Sequence, residues 1–151
     1  MKTTVRIMSL SFSVFFAALL LASCNDDDET VVPATEVPSE IQTYLNTHFP
    51  DNEVLRVTEE TDNSIKSYDV TLDGSISLEF NSNYEITDID GIAALPDSVI
   101  PEKISTYVAE NYPDNVIIGW ELDGQNQQVE LDNGIDLEFS TDGDFLRVDN
   151  D

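Results

Sequence analysis

"TYLNTHFPDN", Thr43 to Asn52, returns 63 positions later as "TYVAENYPDN", Thr106 to Asn115. How this repeated phrase is read decides the fold. In the first copy Ile41, Tyr44, Leu45 and Phe49 stand at offsets of 0, 3, 4 and 8, and Ile104, Tyr107, Val108 and Tyr112 repeat that spacing. Such spacing lines one side of a helix. Pro38 and Pro101 suit the first helical turn, where a missing N–H costs nothing. Pro50 and Pro113 end it, because a proline pushes the residue before it out of the helical region and donates no backbone hydrogen bond. The phrase therefore predicts two short helices, each with one apolar side and a fixed stop.

After each helix the period changes to two, as a half-buried strand requires. Tyr68, Val70 and Leu72 alternate with Ser67, Asp69 and Thr71; beyond Asp73-Gly74, Ile76, Leu78 and Phe80 alternate with Ser77 and Glu79. In the second copy Val129 and Leu131 alternate with Gln128 and Glu130. Beyond Asp132-Asn133-Gly134 come Ile135, Leu137 and Phe139, separated by Asp136 and Glu138. Both connections use residues favoured in tight hairpins. "SLEF" and "DLEF" lie only 59 apart, so the second copy is four residues shorter, a loss expected in the hairpin loop near Thr61 to Ser64. Further strands over 54–60, 84–89, 116–122 and 144–149 complete two α-β-β-β-β units.

The predicted class is α+β, with a first module over 37–90, a linker at 91–99 and a second module over 95–151. A unit of about 53 residues buries only about 60% of its unfolded surface and is marginal alone. The two should therefore share a core or one continuous sheet. Two copies at this spacing indicate a duplicated small domain; a solenoid would need at least three shorter repeats.

Residues 1–23 read as a targeting segment, with Lys2 and Arg6 followed by a short apolar stretch from Ile7 to Leu21. It closes on "LASC", which resembles the lipobox of bacterial lipoproteins. That resemblance implies cleavage before Cys24 and a diacylglycerol thioether on its sulfur, an acylated (palmitate-type) anchor that holds because several chains insert together. An ordinary secretory signal with an incidental thiol is the alternative. Cys24 is the only cysteine, so the chain can form no internal disulfide. The remaining 128 residues keep all 31 acids but only Arg56, Lys66, Lys103 and Arg147 as cations, a formal charge of 4 − 31 = −27. Such a field disfavours nucleic acid and direct contact of the folded part with anionic headgroups. Membrane attachment is expected through the lipid alone. Residues 24–36, "CNDDDETVVPATE", read as an acidic tether. The acids after Cys24 are either a solvated spacer or resemble the tag that sends some lipoproteins to the cell surface. Asn25 is not the aspartate of inner-membrane retention, so the expected address is the outer membrane, at the cell surface, with a periplasm-facing anchor as the alternative.

The order of a helix ended by "NYPDN", then "VELDNGIDLEFSTDGDFLRVD", resembles the PepSY-like family described as beta-lactamase-inhibitor-like, best over 95–151 and more weakly over 37–90. In the first copy Ser82-Asn83-Tyr84 stands where the second has Thr141-Asp142-Gly143. The resemblance implies a helix laid on an antiparallel sheet in each module. It also implies a binding or inhibitory role, since related folds include a protein inhibitor of beta-lactamases and the propeptide domains of peptidases. No inhibitory residue carries over.

Little in the chain suggests catalysis. His48 is the only histidine, its counterpart is Asn111, and no oriented partner for a general base is evident. One histidine and one lipid-consumed cysteine also argue against zinc or copper. "DNGID" and "STDGDF" gather aspartates, yet neither fits a calcium loop and both read as turns. No cofactor is expected. Trp120, in step with Ile118 and Leu122, reads as core, or on an exposed edge as a contact.

The expected function is a lipid-anchored, non-catalytic binding or inhibitory module for a protein partner, a peptidase or other envelope protein. A structural or accessory surface lipoprotein engaging glycans or other envelope components is the alternative. Since each helix can cover only one face, the partner is expected on the polar one, at Asp69, Thr71, Ser77, Glu79, Gln128, Glu130, Asp136 and Glu138. For the anchor, Cys24→Ser should abolish metabolic lipid labelling and release the protein into soluble fractions; unchanged membrane association would rule the lipobox out.

Overall fold

The computed structural model describes residues 29–149. The targeting segment 1–23, Cys24 and the acids Asp26 to Asp28 lie outside them. The order is β1 (Thr30–Val31), α1 (Ser39–His48), β2 (Val54–Asp62), β3 (Ile65–Leu72), β4 (Ile76–Phe80) and β5 (Ile86–Asp90). A 3-10 turn (Asp97–Val99) leads into α2 (Glu102–Asn111), β6 (Ile117–Asp123), β7 (Asn126–Leu131), β8 (Asp136–Ser140) and β9 (Phe145–Asp149). All nine strands form a single sheet in sequence order, every neighbouring pair antiparallel. The duplication thus gives one continuous sheet, joined where β5 pairs with β6.

The repeated phrase has a second half whose role the structure explains. Phe49 and Tyr112 end the helices with extended φ of −131° and −132°, and their N–H groups still donate to Leu45 and Val108 at 2.8 and 2.7 Å. The chain then turns through Pro-Asp-Asn. Asn52 Nδ2 donates to Asp73 Oδ1 at 3.1 Å, and the Glu53 N–H donates to the same oxygen at 2.9 Å. In the second copy Asn115 Nδ2 and the Val116 N–H donate to Asp132 Oδ1 at 2.8 and 3.3 Å. Each asparagine thereby fastens the helix exit to the hairpin turn between the two central strands. "PDN" and "LDG" or "LDN" are two halves of one clasp.

The inward residues Val70, Leu72, Leu78, Val129, Leu131 and Leu137 are fully buried, together with Phe80, Ile89 and Phe139. Ile41 and Leu45 of α1 and Ile104 and Val108 of α2 belong to the same apolar core. The Tyr44 ring meets Phe80 edge-on with centroids 5.4 Å apart, and Tyr107 meets Phe139 in the same way at 5.4 Å. Such pairs add about 0.5–1.5 kcal/mol beyond their buried area. Both helices lie on one side of the sheet, and the other side is open.

Three details differ from the sequence reading, and the choice left open for Trp120 is resolved. Thr30 and Val31 in the tether form a short edge strand on β2, because two β-branched residues there find unpaired backbone. The four missing residues are not lost from the hairpin loop. Both copies turn through two residues, Asn63-Ser64 and Gly124-Gln125, while each arm of the second hairpin is two residues shorter. An even change in each arm preserves which face every side chain occupies. The strand expected from residue 84 begins at Ile86, since Tyr84 lies in the turn. There it adopts a left-handed φ of 63°, matching Gly143 at 78°, and packs on Tyr68 with ring centroids 5.4 Å apart. Trp120 is core, 7% exposed, and its indole N–H donates to Gln127 Oε1 at 3.0 Å. Gln127 Nε2 in turn donates to the carbonyls of Ser140 and Thr141 at 3.2 and 3.1 Å.

Asp132→Ala should cost about 1–2 kcal/mol by freeing two donors of the clasp, read as a lower urea midpoint at unchanged m. Asp114→Ala, one residue from the clasp asparagine, should stay within about 0.5 kcal/mol of the parent.

Candidate functional site

The strand register lays the open face out as two rows of side chains. One row runs Thr58, Asp69, Glu79, Asp88, Glu121, Gln128, Glu138, Arg147 from β2 to β9. The second runs Arg56, Thr71, Ser77, Asp90, Gly119, Glu130, Asp136, Asp149. All eight sequence-nominated residues lie in these rows. The structure brings them together across the seam, and Asp88, Asp90 and Glu121 fill the gap between the two modules. Sequence reasoning missed those three, although Asp88 and Asp90 flank Ile89 with a period of two.

Cross-strand neighbours on one face sit about 4.5–5.5 Å apart between Cβ atoms, and like charges there repel. Asp69 faces Glu79, Glu79 faces Asp88, and Asp88 faces Glu121. Desolvation, reinforced by Asp90, Glu79 and Glu121, pushes the Asp88 carboxyl up to about 7. The Asp69 carboxyl is raised by burial and then by Glu79, and Glu121 by burial and then by Asp123, Asp90 and Asp136. Asp69, Asp88 and Glu121 at the centre of the face thus hold their protons more tightly than ordinary carboxyls.

Gly119 interrupts the second row. A Cβ there would lie 3.2 Å from Glu130 Cβ and 3.3 Å from Asp90 Oδ1, so only glycine lets these side chains approach so closely; beside it lies a shallow depression of about 170 Å³ walled by Asp88, Asp90, Glu121, Glu130 and Asp136. The nominated residues are not equivalent. Thr71, Ser77, Glu79 and Glu130 are exposed; Asp69, Gln128 and Asp136 are half-buried. Glu138 is only 6% exposed, paired with Arg147 Nε at 2.5 Å and accepting from Asn126 Nδ2 at 2.5 Å. It braces β7, β8 and β9.

His48 is remote from this face. Its Nδ1 lies 2.9 Å from Ser98 Oγ and its ring 4.4 Å from that of Tyr44, tying α1 to the linker. The oxygens of the "DNGID" turn serve backbone geometry: Asp132 accepts from Asn115 and Val116, and Asn133 Oδ1 accepts from the Ile135 N–H at 3.1 Å. Among the described residues no three His, Cys, Asp or Glu side chains converge as a metal site.

Two helices and one nine-stranded antiparallel sheet, the strands in sequence order and the repeated phrase at the head of each half, define an α+β class of small domain with a broad polar sheet face. The chain belongs to the PepSY-like family, whose model is described as "putative beta-lactamase-inhibitor-like, PepSY-like" and matches twice, over residues 25–88 and 66–147. Among solved structures it is similar to a "putative periplasmic protein" of Bacteroides vulgatus, 35% identical, over 82% of this chain and 98% of that one, with a TM-score of 0.76. It is similar also to a "putative calcium-regulated periplasmic protein" of Bacteroides thetaiotaomicron, 29% identical, over 82% of this chain and 98% of that one, TM-score 0.77. A second Bacteroides vulgatus periplasmic protein, of unknown function, is 29% identical over 82% of this chain and all of that one, TM-score 0.76. No curated protein matches the chain.

A carboxyl whose pKa is raised on folding holds its proton more tightly in the folded state. Its stabilising effect is complete below the unfolded value, near 4, and is lost as pH rises towards about 7. Asp88→Asn should therefore raise stability at pH 8, by on the order of 1 kcal/mol after solvent screening, and change it little at pH 4. Thermal unfolding of both proteins at the two pH values, in low salt, measures this; equal midpoint shifts at both would contradict it.

Proposed function

We propose that the protein is a non-catalytic binding or inhibitory module, lipid-anchored through Cys24 in the outer membrane and displayed at the cell surface. In this reading each helix backs its own half of the sheet and leaves the opposite face free for a protein partner. The observation that carries it is the continuous carboxylate belt on that face, Asp69, Glu79, Asp88 and Glu121 in adjacent cross-strand positions. Like charges directly opposite one another destabilise a sheet, and a single basic residue among them would relieve the repulsion. A partner with a cationic surface gains from every one of these charges and is steered to them over a Debye length.

Two features weigh against the glycan alternative. Trp120 is buried, and Tyr84 is half-buried against Tyr68, so neither offers the open ring platform that sugar binding would use. The periplasmic relatives support an envelope address.

The experiment is capture from envelope extract on the exported protein, followed by binding kinetics with whatever protein is retained. Glu79→Lys, Asp90→Lys and Glu130→Lys together should slow association about tenfold or more at low salt while circular dichroism stays native. Glu138 is left in place because its reversal would break the brace with Arg147. An unchanged on-rate at low salt would reject this face as the docking surface.

A further inference from the structure

The two ends of the sheet are complementary. Inside the chain, β5 pairs with β6 so that Asp88 faces Glu121, Ile89 faces Trp120 and Asp90 faces Gly119. This junction is a template for a second one, between chains. β9 is the second-module counterpart of β5, offset by 59 positions, and β2 is the first-module counterpart of β6, offset by 63. Among the described residues no strand lies beyond β9. Among the described residues the outer edge of β2 is covered only by β1, two residues long, and Pro33, two positions beyond it, has no N–H to continue a ladder.

β1 sits where a β5-like strand would sit. Val31 faces Thr58, and the Val32 N–H donates to the Val57 carbonyl at 2.9 Å. Val57 is the counterpart of Trp120, so Val32 holds on β2 the place that Ile89 holds on β6. Glu29, just before β1, forms an ion pair with Arg56. The rest of the edge is underfilled. The N–H groups of Gly91 and Leu95 donate to Ile118 and Ile117 of β6 at 2.9 Å each, yet their counterparts on β2, Leu55 and Val54, stand exposed beside an apolar groove of about 310 Å³.

We infer that β1 is an intramolecular plug on an edge that accepts β9 of a second copy of this chain. Carrying the β5–β6 register to that contact sets Val148 opposite Val57, Arg147 opposite Thr58 and Asp149 opposite Arg56. Charge selects this pairing. The internal junction places two carboxylates, Asp88 and Glu121, side by side, whereas the contact between copies places Asp149 against a guanidinium, substituting for Glu29. The added strand brings backbone hydrogen bonds and one apolar residue, as in other strand additions at open edges. Because the contact joins unlike edges, it repeats head to tail and does not close after two copies. With β1 in place the chain stays single; with β1 displaced, copies extend the sheet. This assembly is independent of the acidic face, which would stay open along the whole length.

The test uses the exported protein carrying Cys24→Ser, so that neither lipid nor thiol contributes. Val32→Pro removes the donor and the apolar anchor of β1. In sedimentation velocity the mean mass should at least double with rising protein concentration, while the parent stays monomeric. Asp149→Arg added to Val32→Pro should return the mass to that of one chain, and Arg56→Asp with Asp149→Arg should restore association. Glu29→Arg, which touches no core residue, should give weaker association with the same dependence on position 149, and decides the matter alone if Val32→Pro does not fold. The inference is overturned if the folded unplugged variants stay monomeric, or if they associate regardless of Asp149→Arg, which would indicate β9 pairing with itself or unspecific aggregation.

Discussion

The pairing of β5 with β6 is the contact on which the rest of the structure depends. Only three register pairs, Asp88 with Glu121, Ile89 with Trp120 and Asp90 with Gly119, join the two copies of the module. Without them β5 and β6 would each be a bare edge, and each copy would keep only a small core. With them Ile89 and Trp120 extend the apolar layer from one copy into the other, and α1 and α2 come to lie on a common side. The same pairs set acids beside acids on the opposite side. One backbone junction thus creates both the shared core and the electrostatic tension of the open face.

That tension is tolerated because the two faces contribute very differently. Among the described residues eleven side chains are fully buried, Phe80 and Phe139 the largest of them. Deleting such a ring typically costs about 3–5 kcal/mol, several times the effect of one solvent-screened carboxylate pair. The core can therefore sustain the belt. Where solvent is excluded, charge is instead neutralised: Glu138, nearly buried, is held by Arg147 and Asn126.

Much of this architecture was legible in the sequence wherever periodicity was strong. Tyr68 to Leu72, Ile76 to Phe80 and Val129 to Leu131 alternate cleanly, and the structure pairs them as hairpins with the expected faces inward. The helices were legible because their prolines mark both ends. What remained hidden was non-local. β1 is two residues inside an acidic tether and exists only because β2 offers an unpaired edge. The seam joins two strands with short acidic patterns and no turn between them, so nothing nearby in sequence records their pairing. Tyr84 occupies a left-handed position that composition would assign to glycine, and its packing on Tyr68 compensates. Of the candidate face, the sequence nominated the positions on β3, β4, β7 and β8, and the centre at Asp88, Asp90 and Glu121 emerged only once the seam was known.

Native-state amide hydrogen exchange tests this account most directly, by comparing slowly exchanging amides in β3 and β8, one strand from each copy. If the β5–β6 junction makes the copies one cooperative unit, both sets should exchange through the same opening, with equal free energies and equal denaturant dependence. Opening of the β3 amides at a distinctly lower free energy, while those in β8 remain protected, would show two independent modules lying side by side and would contradict it.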